Sequence, residues 1–157
     1  MKKIIVLFVV AFLTVECKKH STPVQPVTTP VEFQNVPNAG GFRMPTKGNS
    51  VIRTDSAWLA SWNSFWCITD GQGNKTAPPA VDFSKNMVVA VFYGYGAYTG
   101  CHDTVDVIQS INTNGSTITV TIGTLPSLGD CRAFVGPIQM VTIPQSQAIV
   151  QFTGEIP

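Results

Sequence analysis

Short apolar runs alternate with turn-forming residues along most of the chain, and one run organises the rest. Met87, Val88, Val89, Ala90, Val91, Phe92 and Tyr93 follow one another without a polar break. This run is too short for a stable helix or a membrane span and is rich in β-branched and aromatic types, so it predicts a strand covered on both faces. A polar turn of Asp82, Ser84, Lys85 and Asn86 around Phe83 leads into it, and Gly94 and Gly96 follow.

The flanking pattern predicts further strands and one helix. Residues 31–36 alternate apolar with polar before a turn-rich stretch, and residues 50–53 make a second brief strand. Thr54 or Asp55 then stands where a helix N-cap belongs. Trp58, Leu59, Trp62, Phe65 and Trp66 recur at helical spacing, which predicts an amphipathic helix over residues 55–66 with all three tryptophans on its buried stripe. Further on, Asn114 and Gly115 separate two alternating runs. A two-residue type I′ turn at that point pairs Ile111 with Ile118, Gln109 with Val120 and Val107 with Ile122, burying one continuous face. Residues 138–143, bounded by Pro137 and Pro144, and residues 148–152 predict the last two strands. The fold class is α+β, a predominantly antiparallel sheet, as a sandwich or a partly open barrel, with one amphipathic helix packed on it.

The first thirty residues follow a different pattern. Lys2 and Lys3 precede an apolar run at residues 4–13, and Cys17 follows within the length of a secretory signal. The run is too short to remain as a membrane span. Residues 1–16 therefore read as a lipoprotein-type signal peptide and Cys17 as the lipidated residue anchoring the protein to the outer or cytoplasmic membrane, with Glu16 departing from the small residue usual before such a cysteine; the alternative is an ordinary signal peptide and a secreted protein. Residues 17–30 carry Pro23, Pro26 and Pro30 with Ser21, Thr22, Thr28 and Thr29 and predict a flexible tether. Residues 31–157 remain as a single domain, long enough for one core.

Composition narrows the function classes. Ten Lys plus Arg stand against nine Asp plus Glu, a formal net charge of +1, so no general field draws nucleic acid. Candidate chemistry is sparse. Beyond Cys17 the cysteines are Cys67, Cys101 and Cys131. Cys101 and Cys131 sit in glycine-bearing loops flanking the hairpin, and an exported compartment favours oxidation, so these two are expected to form a disulfide and Cys67 to stay reduced. Cys101, His102 and Asp103 adjoin in sequence, but neighbouring side chains of an extended chain diverge, whereas a catalytic triad converges from separate elements. Residues 70–74 have the polar spacing of a calcium loop, yet the twelfth position is Val81 where a bidentate Glu is needed. No metal or cofactor is expected. Tyr93, Tyr95 and Tyr98 lie among Gly94, Gly96 and Gly100, which makes this loop the candidate binding site, with tyrosines packed over the sheet edge as the structural alternative.

The tryptophan-bearing helix, the stretch from Pro79 through Asp82, Phe83 and Ser84 to Gly94, and the segment from Pro137 to Pro144 together resemble the C-terminal domain of the protease complex subunit PrcB family. The resemblance spans most of residues 31–152. It implies an exported bacterial protein, often a lipoprotein, and an accessory rather than a proteolytic role in an envelope protease complex. Tyr98, Thr99, Gly100, Cys101 and His102 depart from the family's Thr-Gly-Gly-Tyr-like turn, with Cys101 for the second glycine and His102 for the tyrosine. The expected function is a non-enzymatic, membrane-anchored envelope lipoprotein that binds an envelope protein. A small-ligand or glycan-binding domain using the same tyrosines is the alternative, and a hydrolase using Cys101 or His102 a weaker one.

Overall fold

The computed structural model describes residues 27–37, 47–64, 76–93, 98–99, 106–124, 134–135 and 138–154. In chain order they form β1 (Thr29–Pro30), β2 (Gln34–Asn35), β3 (Gly48–Ile52), α1 (Asp55–Ser64), β4 (Asn86–Phe92), β5 (Tyr98–Thr99), β6 (Ile108–Thr113), β7 (Thr117–Ile122), β8 (Phe134–Val135), β9 (Ile138–Pro144) and β10 (Ile149–Thr153). One sheet runs β1-β6-β7-β10, a second β2-β9-β4-β3, and β5 pairs with β8. The fold is α+β, and its two four-stranded, mostly antiparallel sheets do not close into a barrel.

The uninterrupted apolar run is β4, an inner strand whose whole length pairs with β9 on one side while β3 takes Val88 to Phe92 on the other. Every side chain from Met87 to Tyr93 is buried. Alternation sends Met87, Val89, Val91 and Tyr93 into a core shared with β6, β7 and β9. Val88, Ala90 and Phe92 point the other way, into a second core with Trp58 and Trp62. The layers are therefore helix, sheet, sheet, and the central strand has no polar position because neither of its faces meets water.

The turn before β4 is built from its own side chains. The Asp82 carbonyl accepts the N–H groups of Lys85 (3.0 Å) and Asn86 (2.8 Å). Its Oδ1 accepts the Ser84 hydroxyl and, at 3.1 Å, the Ser84 N–H. These bonds, the Ser84 hydroxyl foremost, hold the Asp82 carboxyl below the usual carboxylate range. Phe83 meanwhile turns into the helix-side core.

Thr54 is the N-cap of α1, its Oγ1 accepting the Ala57 N–H at 3.2 Å. Trp58 and Trp62, four residues apart, fill the contact with the sheet, their ring centroids 5.2 Å apart. Each indole N–H has a carbonyl partner, Pro79 at 3.0 Å for Trp58 and Thr76 at 2.9 Å for Trp62. Leu59 departs from the predicted stripe and is 50% exposed. It is turned about 100° from Trp58, and the two indoles already cover the contact. Phe65 and Trp66 lie outside the described residues.

Two other expectations are corrected. The predicted strand at residues 31–36 is a crossover: Thr29 and Pro30, assigned by sequence to the tether, pair with Thr113 and Asn112 in one sheet, while Gln34 and Asn35 pair with Thr142 and Val141 in the other. Pro30 is tolerated there because β1 is an edge strand. The hairpin register is shifted by two residues, with Ile111 opposite Val120 and Thr113 opposite Ile118. Asn114 stands at the corner of the turn, its Oδ1 accepting the N–H groups of Ser116 (3.1 Å) and Thr117 (2.8 Å), and Gly115 takes the first central position at φ 92°. A side chain that caps the turn in this way moves the loop one residue onward. The even shift preserves the buried face, and a bulge between Ile108 and Ser110 leaves Gln109 exposed and turns both Val107 and Ile108 inward.

Candidate functional site

The tyrosine loop is only partly where the sequence puts it. Tyr93 is 1% exposed and belongs to the inter-sheet core, its hydroxyl donating to the Gly123 carbonyl at 2.9 Å. It is a structural residue and leaves the candidate contact surface. Burial pushes its phenol above the ordinary value. A raised folded-state pKa means that its contribution to stability is present below about pH 10 and lost above it. Tyr93→Phe is expected to destabilise the fold by about 1–2 kcal/mol at neutral pH, through the unpaired Gly123 carbonyl, and to flatten part of the alkaline loss; urea titrations at neutral and alkaline pH check both. Tyr98 lies in β5, opposite Val135. Tyr95, Cys17, Cys67, Cys101, Cys131, His102 and the stretch at residues 70–74 lie outside the described residues. Among the described residues no three His, Cys, Asp or Glu side chains gather as a metal site, and no helix is long and apolar enough to cross a membrane.

A polar network that the sequence did not flag joins the sheets. Gln139 of β9 is 5% exposed, and its Oε1 accepts the N–H groups of Val107 (2.7 Å) and Ile108 (2.6 Å) at the bulged start of β6. Its Nε2 donates to Asn35 Oδ1 (3.0 Å) and Asp106 Oδ1 (3.1 Å). Every hydrogen-bonding atom of this amide is used within the fold.

The two flanks of the sandwich differ. On one, residues 31–33 cross from β1 to β2 and tie the sheets together. On the other, β3 and β10 are the outer strands. Arg53, just after β3, closes one end of that flank by donating from Nε to the Ser146 carbonyl (3.1 Å) and from Nη2 to the Ala148 carbonyl (3.0 Å).

No family model, no curated protein and no solved structure matches this chain.

The outer strands are not equally protected. β1 and β2 have two residues each, and Lys47 and Arg53 flank β3. β10 has five residues, runs parallel to β7 in unbroken register, and carries no charge or proline from Ala148 to Gly154. Its Val150 and Phe152 side chains pack on the inter-sheet core, while Ile149 (67% exposed), Gln151 and Thr153 face outward. The Ile149 N–H bonds to the Ser116 carbonyl of the neighbouring turn. In a parallel ladder that phase directs residues 149, 151 and 153 to β7 and turns the N–H and C=O groups of Val150 and Phe152 away from it. Among the described residues no strand meets them.

Proposed function

We propose that the chain is a non-enzymatic, protein-binding accessory module of the bacterial cell envelope, held at the membrane through a lipid on Cys17. Its resemblance to the PrcB family supports a stabilising role in a protease or similar complex. The observation that carries the reading is the outer edge of β10. An uncharged strand with outward-facing N–H and C=O groups is a template for main-chain pairing with another polypeptide, the recognition mode of strand addition. Among the described residues, four polar or aromatic side chains that could have signalled a small-ligand site are used internally: Tyr93 by Gly123, Trp58 and Trp62 by backbone carbonyls, Gln139 by β6.

The test places a photoreactive side chain at Ile149 in the full chain in its native envelope, with Ala60 on the exposed side of α1 as control. A defined protein adduct from Ile149 and none from Ala60 supports the reading. No adduct at Ile149, or the same smear from both positions, overturns it. Fractionation of the same cells checks the anchor: Cys17→Ser is expected to leave the membrane fraction, and its retention there refutes lipidation.

A further inference from the structure

We infer that the polypeptide pairing with β10 is β10 of a second copy of this chain, antiparallel about a two-fold axis at Gln151. The inference rests on the reading of that edge as an interaction surface and names its occupant.

The phase of the strand selects the axis. Val150 and Phe152 are the strand residues whose N–H and C=O groups face outward. With Gln151 on the axis, Val150 of one copy lies opposite Phe152 of the other, and Phe152 opposite Val150. Both are doubly hydrogen-bonded antiparallel pairs, so each outward group on each copy finds a partner. An axis one residue earlier sets Phe152 against Ala148, whose carbonyl is already taken by Arg53. An axis one residue later sets Val150 against Gly154, where the chain turns at φ 100° and ends the strand. An alanine Cβ at that position meets the Ile122 carbonyl oxygen, which shows how closely the turn folds back on β7. Only the axis at Gln151 matches the exposed strand to itself over its full length.

The side chains agree with this register. Ile149 faces Thr153 of the second copy, which shelters the most exposed apolar group of the strand, and the two Gln151 amides meet across the axis as a close, non-hydrogen-bonded pair. No charge opposes contact anywhere from Ala148 to Gly154. Two four-stranded sheets become one of eight strands, with β10 next to β10. A contact of five residues a side is below the size of a permanent interface, so the association is weak and concentration-dependent.

Sedimentation velocity on the full chain in detergent solution, between about 1 µM and about 300 µM, spans the range suited to such a contact. The weight-average mass is expected to rise toward twice the monomer. Gln151→Lys alone and Gln151→Glu alone each place like charges face to face on the exposed side of the strand and are expected to weaken association about tenfold or more. An equimolar mixture of the two variants is expected to restore it. Circular dichroism on each variant confirms that the fold is intact. A chain that stays monomeric throughout, or single variants that associate as well as the parent, overturns the inference. A monomeric chain that still yields a single foreign adduct at Ile149 overturns the second-copy assignment alone and leaves the protein-binding reading standing.

Discussion

Trp62→Ala is expected to destabilise the protein by about 3–5 kcal/mol, the cost of truncating a buried aromatic whose site collapses only in part. Trp62 is 1% exposed, packs against Trp58 with the ring planes tilted by 59°, and fills the space between α1 and the sheet. The loss is a large share of a typical total stability of about 5–15 kcal/mol. Urea unfolding is the measurement, read as a lower midpoint at unchanged slope. Trp62→Phe is expected to fall between parent and alanine variant, because it keeps a ring but leaves the Thr76 carbonyl without its indole donor. Leu59→Ala, on the same helix but half exposed, serves as the control and should change little. A Trp62→Ala loss below about 1 kcal/mol would mean that the helix does not close the second core.

Gln139→Leu is expected to destabilise by about 2–6 kcal/mol, from about 1–3 kcal/mol for each of two buried donors left unpaired. The substitution keeps volume and adds apolar surface, so simple hydrophobic bookkeeping predicts a gain. The geometry predicts the opposite, since Val107 and Ile108 lose the Oε1 that accepts both of their N–H groups in the space between the sheets. Hydrogen exchange supplies a local readout: these two amides should lose protection before the rest of β6. Unchanged stability together with unchanged exchange at Val107 and Ile108 would sink the account.

The central strand was legible in the sequence because its seven apolar residues in a row admit only a covering on both faces. A helix cap at Thr54 or Asp55 and the burial of Trp58 and Trp62 were legible for similarly local reasons, though the choice between the two caps was not. Hairpin parity was legible, but its register was not, because Asn-Gly fits a turn either with Asn at a central position or with Asn capping from the corner. The inward direction of Tyr93 had a signal that the glycines around it obscured: it continues the alternation of Met87, Val89 and Val91. Gln139 had none, since a lone Gln in an apolar strand says nothing of partners at Asn35 and Asp106, which lie 104 and 33 residues away. Nor does the local pattern of residues 148–152 distinguish an inner strand from an outer one. That distinction comes from the crossover that sets β10 parallel to β7, and with it came the candidate site.

The separations that complicate reading also govern when the chain can fold. Gln34 waits for Thr142, Arg53 for Ala148 across 95 residues, and β4 for the whole of β9. Pairings of such long range place folding on the slow side for a domain of this size. A nascent chain halted before residue 138 has no β9 to join β2 to β4 and no Gln139 to bind the bulge of β6. Neither four-stranded sheet is complete until β9 and β10 have been made, so both sheets depend on the last stretch of the described chain.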